Sequence, residues 1–452
     1  MGSPTTDLDQ TAPVREPSPS PLLRPARTAA RYAVRHALPA RYLARAARQG
    51  DPVARLMRDP DLRQQPYALY EQLRAAGPLT PSALGLVSTS HAVVQDVLRS
   101  DRFGVGFDLA RVPGRIGRVL RFGDELDASG VAERPSMLVV DPPDHTRYRR
   151  LVSRAFTPRA TAAFEPMIQR TADALLDDLA GAQGPVDLVD GFAAQLPVLV
   201  IAELLGVPTD RRADFLRWGA AAAATLDAGL PLRRYLAAER GLRAMHGFLR
   251  QHFDRLRRDP GDDLVSRLVG LPGEEALTER ELHATVMLLL GAGFETTVNL
   301  IGNAVVALDA HRDQWDALRA EPSGWANAVE EALRWDSPVQ LTGRTARAGV
   351  EVAGRRLPPG TRVTVLLGAA NRDPGVFPDP ARFDVTRANA REHLAFSAGV
   401  HYCVGAGLAR LEAEVALRVL SERFPRLRVA GRPVRRDLRT LRGFEVLPVS
   451  LG

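Results

Sequence analysis

Phe396-Ser397-Ala398-Gly399-Val400-His401-Tyr402-Cys403-Val404-Gly405 is the stretch on which the reading of this chain turns. It holds the only cysteine among 452 residues, and a helical pattern, GAGLARLEAEVALRVLSERF, runs on from Gly405. One cysteine excludes an internal disulfide and any multi-cysteine zinc or iron–sulfur centre, and points to a reducing cytoplasm. Most lone cysteines are small buried hydrophobes. The surroundings argue otherwise here. Unpaired N–H groups and the positive dipole end at a helix N-terminus lower a thiol's pKa and favour thiolate. Gly399 and Gly405 let backbone pass close to something flat, and Phe396 offers a face to pack against it. A thiolate without a companion is what a single axial ligand to haem iron needs.

Working outward, the next informative segment is Ala292-Gly293-Phe294-Glu295-Thr296-Thr297, inside a long helical pattern over 279–309. The bland reading is a paired carboxylate and a back-bonded threonine in a core helix. A buried acid is expensive unless it is paired or used. Gly291 and Gly293 weaken the helix there, and threonine can bond the preceding turn, so a local opening able to hold a small molecule is expected. Acid beside alcohol is a proton-delivery pair. Asn299 and Asn303 continue a polar stripe in steps of four from Glu295. A third element, Glu331-x-x-Arg334, places both side chains on one helix face; Glu71-x-x-Arg74 shares that spacing, so only its position between the other two motifs gives it weight.

The rest of the chain sets limits. Basic residues number 60 against 53 acidic ones, a net of +7, and all the basic residues are Arg. The absence of lysine rules out a P-loop lysine and Schiff-base chemistry. Residues 1–50 carry eight Arg against Asp7, Asp9 and Glu16, so the body is nearly neutral and no nucleic-acid footprint is expected. Residues 1–27, rich in Pro, Ser and Thr, read as disordered. In 28–50, Pro39 is expected to split two short helical pieces. A variable leader, a membrane-surface helix and a targeting peptide compete for this segment, and its thin apolar face favours the leader. No run of 18 apolar residues occurs, so no transmembrane segment is expected. Helical periodicity covers 163–180, 192–206, 234–257, 279–309, 325–335 and 404–424, with Thr278-x-x-Glu281 as a capping box. Strand signals are confined to 350–354, 355–357, 362–367 and 444–451. The expected fold class is mostly α with small β-sheets: a leader over 1–50, then a single domain over 51–452. No G-x-G-x-x-G is present, so electrons must come from separate partners. AFSAG at 395–399 falls short of a hydrolase elbow and lacks the parallel sheet that an elbow needs.

In this order the motifs resemble the cytochrome P450 family, soluble bacterial haem-thiolate monooxygenases, over roughly residues 55–452. The resemblance implies the cytochrome P450 fold with a long central helix and haem b (iron protoporphyrin IX) as cofactor. FSAGVHYCVG looks like the haem loop, with Cys403 on the iron and Phe396, Gly399 and Gly405 beside it; AGFETT looks like the oxygen-activation motif, with Ala292 against haem and Glu295 and Thr296 catalytic. DPPDHTRYRRLVSRAF resembles the helix whose histidine and arginine bind a haem propionate, here His145 and Arg149; Arg344 and His401 match further propionate contacts. Glu331 and Arg334 resemble the structural helix pair, with Arg382 of PARF as third member of the ion triad. Ser397 stands where many members have Gly, a departure expected to be without consequence. The pocket would draw on residues 101–135 and 210–240, both read as loop-like lids, on Leu288, Ala292 and Val339, and on the C-terminal hairpin. Phe107, Leu109, Val112, Leu226 and Leu230 suggest a sizeable apolar ligand. The implied partners are a ferredoxin and ferredoxin reductase, O2 and a lipophilic small molecule. The competing reading is a haem-binding protein without oxygenase activity.

Overall fold

A computed structural model describes residues 24–105 and 130–452. Residues 1–23 lie outside them, as do Phe107, Leu109 and Val112. The architecture is organised on one helix, Glu279–Ala310. Its start is fixed by the expected capping box: the Glu281 N–H donates to Thr278 Oγ1 at 3.3 Å and the Thr278 N–H donates to Glu281 Oε2 at 2.8 Å. Its 32 residues span about 48 Å. It is the one helix among the described residues long and apolar enough to cross a membrane, but 83% of its most apolar window is buried inside the fold, so it is a core helix.

Around it pack Gln195–Leu205, Arg212–Ala224, Leu232–Arg258, Trp325–Trp335 and Ala406–Arg423, and Glu165–Ala180 packs in turn on Gln195–Leu205 and Ala406–Arg423. Five of these six match the periodic segments of the sequence to within a few residues. Arg212–Ala224 does not: residues 210–240, expected as loop, are two helices joined by a short turn. Its run of alanines gave no apolar periodicity, yet small side chains let it approach the central helix, where a Cβ on Gly291 would meet Ala222 Cβ at 3.0 Å.

The sheets are small. A five-stranded one runs Thr80–Ser82, Gly85–Ser88, Arg362–Val365, Thr342–Ala346, Phe103–Gly104, and its register pairs Arg344 with Val363. The expected strand over 444–451 divides at Leu447: Phe444–Val446 pairs with Val434–Arg435, and Pro448–Ser450 joins a separate three-stranded sheet.

Residues 24–48 correct the leader expectation. They form helix Arg24–Tyr32, a π-turn Ala33–Ala37 and helix Leu38–Arg48. Pro39 does not split them, because the wider π-turn before it absorbs the missing N–H and the ring clash. The segment packs on the body. Buried Arg31 pairs with Glu133 and, at 3.4 Å, with Glu239. The Leu230 N–H donates to His36 Nδ1 at 3.2 Å, and the His36 ring lies 4.9 Å from that of Tyr235. Leu43 and Ala46 join the core cluster of Val53, Leu56 and Leu69.

Candidate active site

The cysteine loop is a chain of tight turns. The Ser397 N–H donates to Leu394 O at 2.9 Å, and the Cys403 N–H donates to Phe396 O at 3.0 Å. Two residues adopt left-handed backbone: Ser397 at φ 64° and Gly399 at φ 69°. Glycine at 399 is doubly required, because a Cβ there would sit 2.5 Å from Leu98 O. Gly405 is not forced in this way; its nearest neighbour would be Phe156 at 3.8 Å. Phe396 is half-buried, with the Arg410 guanidinium 4.6 Å from its ring centroid and the Tyr402 ring edge-on at 6.4 Å.

Cys403 lines a recess of about 460 Å³ between helices Asp144–Ser153 and Ala406–Arg423. Its thiol is reachable by solvent but closely walled by protein, and this burial pushes its pKa up against the Gly405 N–H and the charges of Arg149 and Arg410. The helix that follows begins at Ala406, with Gly405 as its N-cap.

Beside this loop the fold gathers three basic side chains. His145, on the first turn of Asp144–Ser153, has its ring centroid 4.2 Å from that of His401. Arg344 comes from the five-stranded sheet and is buried, donating to Gly343 O at 2.9 Å. Burial lowers the pKa of all three: Arg344 falls to about 10 and His401 to about 4, the latter helped by His145 and Arg344. The acid nearest them is Asp141, already paired with Arg347 and 3.7 Å from His401 Nε2, too far to bond it well. His401 Nε2 is buried and without a hydrogen-bond partner. Arg149 stands apart, donating to Tyr402 O at 2.6 Å and so bracing the cysteine loop from outside.

On the central helix, Gly293 meets Ile201 and the helix runs unbroken through the Ala292–Thr297 segment. The expected local opening is absent; the two glycines serve close helix packing instead. Leu288 is buried, Ala292 is exposed and Thr296 half-buried, and the spacing of four puts the three on one face. Thr296 Oγ1 donates to Ala292 O at 3.1 Å. Glu295 turns the other way. It is 3% exposed and accepts from Arg436 Nη1 at 2.6 Å, with burial raising its pKa and Arg436 lowering it. Val339 is half-buried and bridges to Leu441.

The family model described as Cytochrome P450 matches residues 325–440. Cytochrome P450 140 of Mycobacterium tuberculosis is 47% identical over 412 residues, 90% of this chain and 93% of that protein. The 6-deoxyerythronolide B hydroxylase of Saccharopolyspora erythraea is 44% identical over 318 residues, 69% of this chain and 76% of its own. The crystal structure of ligand-free Mycobacterium smegmatis CYP164A2 superposes with a TM-score of 0.77 at 40% identity, covering 88% of this chain and 99% of that one. The chain belongs to the cytochrome P450 family. It is a haem-dependent monooxygenase of the bacterial type, and the expected fold class and cofactor hold.

The side chains fit the haem that a P450 carries. Buried Arg344 and the two histidines, one with an orphaned ring nitrogen, are donors suited to the two propionate carboxylates. Cys403 is a thiol without a competing ligand, and no cluster of three metal-binding side chains occurs among the described residues. The P450 ion triad needs one correction. Glu331 and Arg334 are fully buried and pair at 2.6 Å. The third member is Arg387, 3.2 Å from Glu331 Oε2, not Arg382. The Arg382 side chain is 65% exposed beside Asp384, and only its carbonyl serves the cluster, accepting from Arg334 and Arg387 at 3.0 Å. Arg382 of PARF turns to solvent, and the next Arg in the chain, Arg387, reaches Glu331 instead. Arg387, Arg410 and Arg436 carry no sequence signal in so Arg-rich a chain. Asp141 does have one, the first position of DPPDH.

Proposed function

We propose that this P450 inserts one oxygen atom of O2 into a lipophilic small molecule, by hydroxylation or epoxidation, with electrons from a ferredoxin and its reductase. The observation that carries this reading is the division of labour at Glu295 and Thr296. Adjacent residues on a helix point about 100° apart. Thr296 shares the accessible face of Leu288 and Ala292, while Glu295 faces inward to Arg436.

Cys403, with His145, Arg344 and His401, would hold the haem, which would supply the redox chemistry of dioxygen. The chain's own residues manage protons and substrate. Thr296 Oγ1 rests on Ala292 O and can swing to bond a partner on the exposed side. Glu295 can take a proton at Oε2 when its pair with Arg436 opens, because its burial already favours the neutral acid. Leu288 and Ala292 give the pocket face an apolar floor, as a lipophilic substrate needs. Removal of the Thr296 hydroxyl should uncouple the reaction: electron donor is consumed while product falls and peroxide rises.

The ferredoxin part of the reading rests on the recess at Cys403. Arg149 and Arg410 line it, Arg154 is exposed nearby in sequence, and Val400 and Tyr402 are exposed apolar residues on the loop. Basic side chains around an apolar patch complement a small acidic redox protein. Arg150 is already paired with Glu275 at 3.0 Å, so Arg154 is the freer donor. Turnover reconstituted with ferredoxin, reductase and O2 tests the whole reading against peroxide alone. Product with the electron-transfer pair, at a rate that falls with salt, supports it. Product with peroxide only, or none while haem is fully loaded, overturns it.

A further inference from the structure

Residues 24–48 carry seven arginines and no acid. The fold turns some of them inward: Arg31 reaches Glu133 and Glu239, and Arg35 pairs with Glu133 at 2.8 Å. Helix Leu38–Arg48 turns the others out. It buries Leu43 and Ala46 and exposes Leu38, Arg41, Tyr42, Arg45 and Arg48, whose spacings of three and four make one face. The Tyr42 hydroxyl donates to Ala83 O at 2.9 Å, which fixes its ring at the surface.

The helix across the seam repeats this pattern. Leu232–Arg258 buries Tyr235, Ala238 and Glu239 and exposes Leu232, Arg233, Leu236 and Arg240 on one face of its first turns. The two elements meet where the Leu230 N–H donates to His36 Nδ1, and Leu38 and Leu232 each stand two residues beyond that bond. The seam is closely packed: a Cβ on Gly229 would lie 3.4 Å from Ala40 Cβ. The apolar face of residues 28–50 is thin in sequence because the neighbour that widens it lies 194 residues away.

Four of the nine large apolar side chains exposed among the described residues flank this one seam. Scattered apolar residues are ordinary on a surface, but a group of them marks an interaction site. The arginines interleaved with them have no acidic partner among the described residues, and the one acid on these two faces' helices near the seam, Glu239, is buried against Arg31.

We propose that this surface docks the protein on an anionic phospholipid bilayer, its leucines and Tyr42 entering the interface and its arginines on the lipid phosphates. Leucine and arginine side by side are what such an interface takes. A nucleic acid would answer the arginines and strand the leucines. A second copy would answer the leucines and bring the same arginines face to face. Helix Leu38–Arg48 has 11 residues and a length of about 16 Å, far short of a bilayer core, so the docking is peripheral. It is independent of the oxygenase chemistry. It also sets the turn between Arg212–Ala224 and Leu232–Arg258 against the phase in which lipophilic molecules concentrate.

The test is sedimentation of the haem-loaded, full-length protein with vesicles of phosphatidylcholine alone and of an equal mixture with phosphatidylglycerol. Binding should require the anionic mixture and fall with salt, a result that needs no substitution. A basic side chain near such a surface is worth about fivefold, so Arg41→Gln/Arg45→Gln should weaken binding by about 25-fold. Leu38→Ser/Leu236→Ser should weaken it by about tenfold. Arg355→Gln/Arg356→Gln, which removes equal charge from the exposed strand Arg355–Leu357, should bind as the parent does. All variants are compared at matched haem content and unfolding midpoint. No binding by the parent, or equal binding to both vesicles, overturns the proposal. Equal loss in the Arg355/Arg356 pair would trace the binding to net charge and remove this surface from it. Tighter binding to duplex DNA of equal phosphate content would give the surface to nucleic acid instead. Self-association without lipid that Leu38→Ser/Leu236→Ser abolishes would give it to a second copy.

Discussion

Two clusters in this protein each turn on a buried arginine, Arg334 beside Glu331 and Arg344 beside His145 and His401, and differ in what they complete. Around Glu331, every charge is answered from within the chain. Arg334 forks onto Glu331 at 2.6 and 2.8 Å and donates to the carbonyls of Asn371 and Pro380, while Arg387 and the Asp384 N–H approach Glu331 Oε1 at 3.3 and 2.8 Å. Around Arg344, donors outnumber their partners: burial drives two histidines toward neutrality and one ring nitrogen is left unbonded. The difference is that of a structural joint and a binding site. A closed cluster locks the helix Trp325–Trp335 to the segment around 378–387, under the cysteine loop. An open one keeps charge in reserve for an anionic ligand.

The closed cluster is where the largest effect is expected. Glu331→Gln strands two buried guanidinium groups and should cost about 3–5 kcal/mol, read by denaturant unfolding. Arg387→Ala should approach that loss, whereas Arg382→Ala, whose side chain points to solvent, should stay within about 0.5 kcal/mol. Equal losses at 382 and 387 would erase the corrected triad.

Substitution in the open cluster should behave in the opposite way. Arg344→Gln should leave apoprotein stability level or slightly raised, since an undercompensated charge is removed. Haem retention should weaken by about 1.5–3 kcal/mol, the worth of a hydrogen bond to a charged group, measured as transfer of haem to an acceptor protein. Destabilisation of the apoprotein with unchanged haem transfer would show that the two clusters are alike after all.

How much of this was legible in the sequence depended on range. The cysteine loop, the capped central helix and the Glu-x-x-Arg pair are local patterns, and the structure places them where the spacing put them. The partners that give them meaning are not local. Glu295 finds Arg436 141 residues away, and nothing in either neighbourhood announces the pairing. Arg382 and Arg387 differ by five positions, and only the folded chain decides which faces inward. Helix Arg212–Ala224 was hidden because alanine carries too little hydrophobic contrast to show a period. Residues 24–48 carry no core signal of their own because their anchors, Arg31 and His36, are polar groups that meet their partners only in the folded body.

The smallest expected effect belongs to the cysteine loop. Ser397 holds a left-handed backbone angle that glycine adopts freely, and its Oγ is buried and unpaired. Ser397→Gly should stabilise the protein by about 1 kcal/mol with activity retained, seen as a raised unfolding midpoint. A loss of stability there would mean that the hydroxyl has a partner worth more than the strain.

The central claim is that Cys403, beside the recess lined by Arg149 and Arg410, is the ligand that makes this fold a haem-thiolate enzyme. The carbon monoxide complex of the reduced protein tests it most directly. The parent protein should show the strongly red-shifted Soret band of thiolate ligation, and Cys403→Ser should lose that band even where haem is retained. The same red-shifted band in Cys403→Ser would contradict the assignment.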